Sequence, residues 1–395
     1  MSRPSTGNEP IAVLLDPAKT TSGRSRFFCD LASILQGLGY RVAFGYPGDT
    51  VTRRHYPYPA GVLERTLQRR STPRNGAERW LRWTPTKPHV IEPESLASAV
   101  HDAGLVIVPA TVDAEIGEAI RLAPGFTGRI VVSDHTGARL TAGTPEGRPS
   151  DSYRSWLQLA DGVHAVNEGL AAIARRHGAR HTFTIPPSVD QRAFVPRWQF
   201  VLERVKRRQR TILAPGALLP AKGFATLLRA FTEVTARHPS WRLDVFGEGP
   251  ERPTLDMLVG DLHLASSVTL HDFDAELAAR YRHYPIVASA TAFESLPLVL
   301  YEAMAAGCVS VFPATAGGPA TIIRDGQNGL LARTDQEADV HEALMIAIDR
   351  FESAPGWWWR AQVRASQSAQ VARPRAVAAA WRAQLRRMRT RDGAG

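Results

Sequence analysis

The sequence predicts an α/β fold of two doubly wound, Rossmann-like domains facing a cleft. Three observations carry that expectation. At 395 residues the chain is too long for one typical hydrophobic core and suits two. Short apolar runs alternate with helix-length segments, which argues for parallel strands covered by helices on both faces. The alternation then restarts after a basic stretch near residue 200. The expected boundaries are 1–195 for an N-terminal domain, 196–370 for a C-terminal domain, and 371–395 for a last helix with a basic tail.

In the first series "IAVLLD" (11–16) reads as a buried strand, followed by the loop "PAKTTSGRS" and a helix pattern from Phe27 to Leu38 that Gly39 ends. "YRVAFGYP" supplies the second strand. "GLVIVPA" (104–110), "RIVVSDH" (129–135), "GVHAVN" (162–167) and "HTFTIPP" (181–187) supply four more. The second series opens with the strand "TILAPGA" (211–217) and the amphipathic helix "FATLLRAFTEVTARH" (224–238). "WRLDVFGEG" (241–249), a helix near 251–262, "VTLHDF" (268–273) and "PIVASA" (285–290) follow. A helix from Ser295 and the strand "CVSVFPA" (308–314) complete the series. In sheets of this kind ligands bind at the carboxyl ends of the strands.

Composition excludes several classes. A hydrophobic fraction of 44% with 22% charged residues is that of a soluble globular chain. The opening "MSRPSTGNEPIAVLLD" lacks the apolar run of a signal peptide, and the longest apolar run, Leu296 to Val311, is interrupted by Glu302. Cys29 and Cys308 are the only cysteines and sit in apolar helical contexts, so reduced core thiols of a cytoplasmic protein are expected. The net charge of +10 is segregated: residues 53–87 carry +7, 197–210 carry +5 and 360–391 carry +9, leaving −11 for the remainder. A segregated basic surface suits phosphates or another polyanion.

The stretch "FESLPLVLYEAM" (293–304) concentrates the chemistry. Ser295 is a suitable N-cap and Pro297 is tolerated in a first turn, so a helix beginning at once would aim free backbone N–H groups from Leu296 to Val299 at an anion. Glu294 then lies just outside that terminus, within reach of hydroxyls beside the anion. Glu302, one turn after Leu298, shares the helix face of that residue. Its neighbours Leu298 to Tyr301 and Ala303 to Ala306 are apolar, which argues against a merely solvated carboxylate. One helix would thus hold a sugar, a diphosphate and a ribose in order.

The segment 213–331 resembles the nucleotide-sugar domain of the retaining glycosyltransferase family 4 (glycosyl transferases group 1), whose members have the GT-B fold. The resemblance rests on "GALLPAKGFATLLRAF", "WRLDVFGEGPERPTL", "VTLHDFDAEL", "FESLPLVLYEAMAAG" and "GGPATIIRDGQNGLLA", five motifs in the expected order. It implies that Glu294 touches hydroxyls of the donor hexose, that Glu302 binds the ribose, and that the amides around Leu298 and Val299 meet the distal phosphate. Lys222, in "PAKGF", matches a phosphate-binding position where a cation stabilises the departing diphosphate. Gly216 and Gly247 stand where backbone approaches the nucleotide, and Phe273 stands in the loop lining the base. The chain departs from the family at Ala217, where an arginine usually assists the lysine. Asp272 and Asp274 superficially fit a metal-binding Asp-x-Asp, but the resemblance implies neutralisation by basic groups and a helix, with no metal.

For the N-terminal domain the resemblance implies a glycine loop near the donor phosphates, here Ser22-Gly23 followed by Arg24 and Arg26. His135 matches a histidine beside the donor sugar, and Asp134 and His135 are expected to project into the cleft. "PPSVD" (186–190) matches a structural segment at the domain junction. The helix around Trp381 to Met388 is expected to cross back onto the first domain, with Trp357, Trp358 and Trp359 packing that crossover. Tyr56, Tyr58, Trp80 and Trp83 interleave with arginines, a composition that fits an anionic membrane surface, a polyanionic acceptor or single-stranded nucleic acid.

The expectation is therefore a retaining hexosyltransferase with a nucleoside-diphosphate sugar, UDP-sugar first, as donor. The acceptor is a hydroxyl of a glycan, lipid-linked glycan or cell-wall polymer, and nucleic acid is not expected as a partner. The location expected is the cytoplasm, peripheral on the inner face of the plasma membrane. Two alternatives stand beside it: a sugar-phosphate synthase on the same fold, and a catalytically weak relative that binds glycan or another polyanion.

Overall fold

The computed structural model describes residues 9–15, 23–47, 58–70, 81–84, 87–135, 150–196 and 209–390. Ser22, Tyr56, Trp80 and most of the basic stretches 53–87 and 197–210 lie outside them. The chain forms two units, Met1–Ser188 together with Arg375–Gly395, and Val189–Pro374.

The first unit is built on strands β1 (Ile11–Leu15), β2 (Arg41–Pro47), β3 (Leu63–Leu67), β7 (Ala103–Pro109), β8 (Arg129–Asp134), β9 (Gly162–Ala165) and β10 (Thr182–Thr184). They form one all-parallel sheet in the order β10-β9-β8-β7-β1-β2-β3. Helices α1 (Gly23–Gly37), α2 (Pro93–Val100), α3 (Ala114–Leu122), α4 (Asp151–Leu159) and α5 (Glu168–Arg176) alternate with the strands. Every residue of β1 is buried, as a strand covered on both faces requires. Asp113, Ser150 and Asn167 cap α3, α4 and α5 by accepting from backbone N–H groups of the first turns, which explains where those helices begin. Sequence periodicity did not give β3, nor a small antiparallel sheet of β4 (Arg69–Arg70), β5 (Leu81–Thr84) and β6 (Lys87–Ile91). β3 takes its register from β2 and runs largely exposed along the sheet edge, so no buried run marks it in the sequence.

The second unit carries β11 (Thr211–Pro215), β12 (Arg242–Phe246), β13 (Val268–His271), β14 (Ile286–Ala288), β15 (Val309–Pro313) and β16 (Leu330–Ala332). All pairs are parallel, in the order β13-β12-β11-β14-β15-β16. The direction of winding reverses between β11 and β14, so their carboxyl ends flank the crevice where such sheets bind ligands. Helices α6 (Phe224–Arg237), α7 (Arg252–Asp261), α8 (Leu277–Arg280), α9 (Leu298–Ala305), α10 (Glu337–Ser353) and α11 (Pro355–Ser368) complete it. On α6, Phe224, Leu227, Leu228, Phe231 and Val234 follow helical spacing and are all buried.

Helix α12 (Pro374–Thr390) returns to the first unit, where Val377, Trp381, Leu385 and Met388 join the core of Phe27, Leu31, Val42 and Phe183. The three consecutive tryptophans serve the second unit instead of that return. Trp358 packs edge-on against Phe351 and Trp357 donates to the Gly326 carbonyl, while Trp359 stays exposed. Helical geometry spreads three consecutive residues over different faces, so they cannot share one packing role. Cys29 and Cys308 are buried and share no disulfide, and the Cys308 thiol donates to the Tyr281 carbonyl. Among the described residues no helix is long and apolar enough to cross a membrane.

Candidate functional site

The carboxyl end of β11 leads through Gly216 to a turn of 3-10 helix, Pro220–Lys222, and Gly223 with φ of 68° starts α6. A Cβ on Gly223 would stand 2.0 Å from the Ala290 carbonyl oxygen, so the loop after β14 lies directly against this turn. Two hydrogen bonds fix the contact: the buried Thr291 hydroxyl donates to the Ala221 carbonyl at 3.1 Å, and the Ala292 N–H reaches the same oxygen at 3.2 Å. The outcome is that Lys222 and Glu294, 72 residues apart, form an ion pair at the reversal of the sheet. Both are half-buried.

The far side of Glu294 is held by "GGPAT". Its N–H donates to Ala316 O and its carbonyl accepts from Gly318 N–H, both at 2.8 Å. A Cβ on Gly318 would fall 1.9 Å from the Ser295 carbonyl oxygen, so the two loops touch backbone to backbone. Glu294 is therefore pinned between two loops before any ligand arrives.

Helix α9 begins later than the sequence suggested. Pro297, extended at φ −73° and ψ 120°, is the N-cap in place of Ser295. A residue before proline is biased away from helical geometry, which keeps Leu296 out of the helix. The first helical N–H groups belong to Leu298 and Val299, both half-buried, and the helix aims its positive end beside Glu294. Glu302 is only 3% exposed and accepts from the buried Tyr281 hydroxyl at 2.9 Å. Tyr281 carries no motif signal: it lies 21 residues away in "RYRHYP", and the fold alone brings it to the helix.

The glycines after β12 lie against the loop that follows β11. A Cβ on Gly247 would meet Gly216 O at 1.8 Å, and one on Gly249 would meet Leu218 O at 2.3 Å. The space a Cβ would need at either position is filled by the β11 loop. Phe273 is half-buried in the loop after β13, where His271 stacks on Phe246 at 4.2 Å. The flanking carboxylates are committed to arginines, Asp272 to Arg252 and Asp274 to Arg280, each at 3.0 Å. Among the described residues no group of three or more His, Cys, Asp or Glu is placed to hold a metal ion.

His135 and Gly23 belong to the first unit. Gly23 opens α1, and Arg26 lies 4.0 Å from Asp30 along that helix. His135, just past β8, sits 2.8 Å through Nε2 from the Ser133 hydroxyl and edge-on to Phe27. Asp134, expected beside it, is fully buried and accepts from the Tyr153 hydroxyl at 2.8 Å. Successive strand residues face opposite sides of a sheet, so Asp134 cannot share the face of its neighbours. Burial and the Asp134 charge push the Tyr153 phenol well above its ordinary range.

Residues 199–354 match the protein family described as glycosyl transferases group 1. The matched segment lies within the second unit. It contains the ion pair, the glycine loops and α9 described above. An exopolysaccharide phosphotransferase of Streptomyces coelicolor is 35% identical over 136 residues, covering 34% of this chain and 14% of the relative. A D-inositol 3-phosphate glycosyltransferase of Nocardia farcinica is 33% identical over 177 residues, covering 40% and 38%. The chain thus matches less than half the length of each of these relatives. Among solved structures, the pneumococcal O-GlcNAc transferase in complex with UDP and GlcNAc superposes with a TM-score of 0.73 at 13% identity, over 96% of this chain and 99% of that one. That likeness shows the GT-B fold.

Proposed function

We propose that the chain is a retaining glycosyltransferase of family 4 that moves a hexose from a UDP-sugar to a hydroxyl of a glycan, lipid-linked glycan or wall polymer. The observation that carries the reading is the Lys222–Glu294 ion pair at the sheet reversal, beside the amino end of α9. A diphosphate is attracted by the α9 terminus and by Lys222, whose ammonium leaves Glu294 for the phosphate. Glu294 then accepts from donor-sugar hydroxyls, and Glu302 accepts from the ribose. The glycosidic C1–O bond to the diphosphate breaks, the acceptor oxygen joins C1 on the same face, and the acceptor proton passes to a phosphate oxygen. Lys222 and the helix terminus stabilise the charge that develops on the leaving group, and positioning supplies the rest. The scheme invokes no metal. The group 1 match, and the UDP bound by the pneumococcal transferase that shares the fold, support the donor class.

Calorimetric titration with UDP, GDP, ADP and TDP tests the reading. Selective binding of UDP by the wild type, strongly weakened in Glu302→Gln, is expected. Product analysis by NMR should show the anomeric configuration of the donor kept. Absence of any nucleotide binding would remove the proposal.

A further inference from the structure

The hydroxyl beside His135 belongs to a chain of hydrogen bonds. Ser133 Oγ lies 2.8 Å from His135 Nε2 and 2.8 Å from His164 Nδ1, and His164 Nε2 lies 2.8 Å from the Ile185 carbonyl oxygen. Ser133 and His164 are fully buried. Phe27 stacks on the His164 ring at 5.5 Å, with Trp381 at 4.9 Å and Phe183 at 5.6 Å. No carboxylate is among these neighbours. Burial pushes the His164 pKa down to about 4, so the ring is neutral at ordinary pH.

The donors then assign themselves. A carbonyl oxygen can only accept, so His164 Nε2 carries the ring proton and Nδ1 does not. Ser133 must therefore give its single proton to His164 Nδ1. It has none left for His135, so His135 Nε2 is the donor in that contact. We infer that Ser133 and His164 are positioning residues that fix His135 as its Nε2–H tautomer, so that any group engaging the other ring nitrogen must donate to it. Under the function proposed above, on which this clause rests, His135 takes part in transfer as an acceptor through Nδ1. A free imidazole could serve either way; the relay removes that choice before substrate binds.

Long-range 15N–1H correlation spectra of the full chain, assigned with His135→Gln and His164→Gln, read the tautomers directly. The expected result is Nε2–H for both rings in the wild type, with His135 moving to a mixture in Ser133→Ala. An Nδ1–H tautomer at either ring in the wild type would overturn the inference. So would a His135 signature that Ser133→Ala leaves unchanged. In the transfer assay, Ser133→Ala should lower kcat about tenfold, the equivalent of one hydrogen bond, with UDP affinity unaltered. An unaltered kcat would overturn the clause on His135's part in transfer. A wild type that binds no nucleotide would defeat the functional reading alone, because the tautomers are read without substrate.

Discussion

Replacing Gly318 by alanine tests whether Glu294 is held by its neighbouring loop. Gly318 has ordinary helical dihedrals, φ −54° and ψ −47°, so alanine meets no backbone penalty there. The effect is wholly steric. The new Cβ would stand 1.9 Å from Ser295 O, 2.3 Å from Ser295 C and 2.5 Å from Glu294 O, all backbone atoms that no rotamer change can move. Reaching even a 3.0 Å contact requires the loops to separate by about 1.1 Å, which lengthens the 2.8 Å bond from Gly318 N–H to Glu294 O. Overpacking of this kind costs about 1–3 kcal/mol of stability. An acid displaced by about 1 Å from its working position costs about a hundredfold in turnover. UDP affinity should change little, since Glu294 is assigned to the sugar and not the nucleotide. Gly260→Ala is the control: it lies in α7 with nothing within 4 Å of the added carbon, and should be neutral or stabilising by up to about 1 kcal/mol. Thermal unfolding and steady-state transfer would be measured on both. If Gly318→Ala kept the wild-type Tm and a kcat within twofold, the reasoning about the clamped loop would be refuted.

Tyr281→Phe removes the hydroxyl that donates to the buried Glu302, and should cost about 1.5–3 kcal/mol in urea unfolding while weakening UDP binding. A wild-type unfolding midpoint would show that the bond carries nothing. His164, with its folded pKa about 4 against 6.5 unfolded, makes a stability contribution that is complete above pH 6.5 and is lost as pH falls toward 4, because the unfolded chain takes up the proton first. The loss amounts to roughly 3 kcal/mol, and His164→Gln should flatten that part of the stability–pH curve. Trp381→Ala empties a fully buried site in the first unit and should cost about 3–5 kcal/mol, read by chemical denaturation.

How legible these features were depends on how far apart in sequence their parts lie. Lys222, Glu294 and Glu302 stand in short contiguous motifs at strand ends, and the alternation of buried runs marks those ends directly. Their pairing was not legible, since it depends on Thr291 and Ala221 meeting across 70 residues. The start of α9 was misread because Ser295 is a good cap by type, whereas its carbonyl is taken up against Gly318 and Pro297 delays the turn. Asp134 was placed on the wrong face although strand alternation alone could have turned it inward. The relay from His135 to Ile185 joins three strand ends, and neither ring carries a motif that would reveal it.

The return of α12 gives the two units different histories on the ribosome. The second unit is one uninterrupted stretch, Val189–Pro374, and has all its residues before α12 is synthesised. The first unit does not: its core includes Trp381, and Arg129 hydrogen-bonds to the Met388 carbonyl 259 residues later. A nascent chain therefore exposes the groove under α12, lined by Phe27, Phe183 and the ring of His164, until α12 itself has been made. Of the two units, the first is started before the second and completed after it, and its unsealed apolar face is what a chaperone would meet during translation.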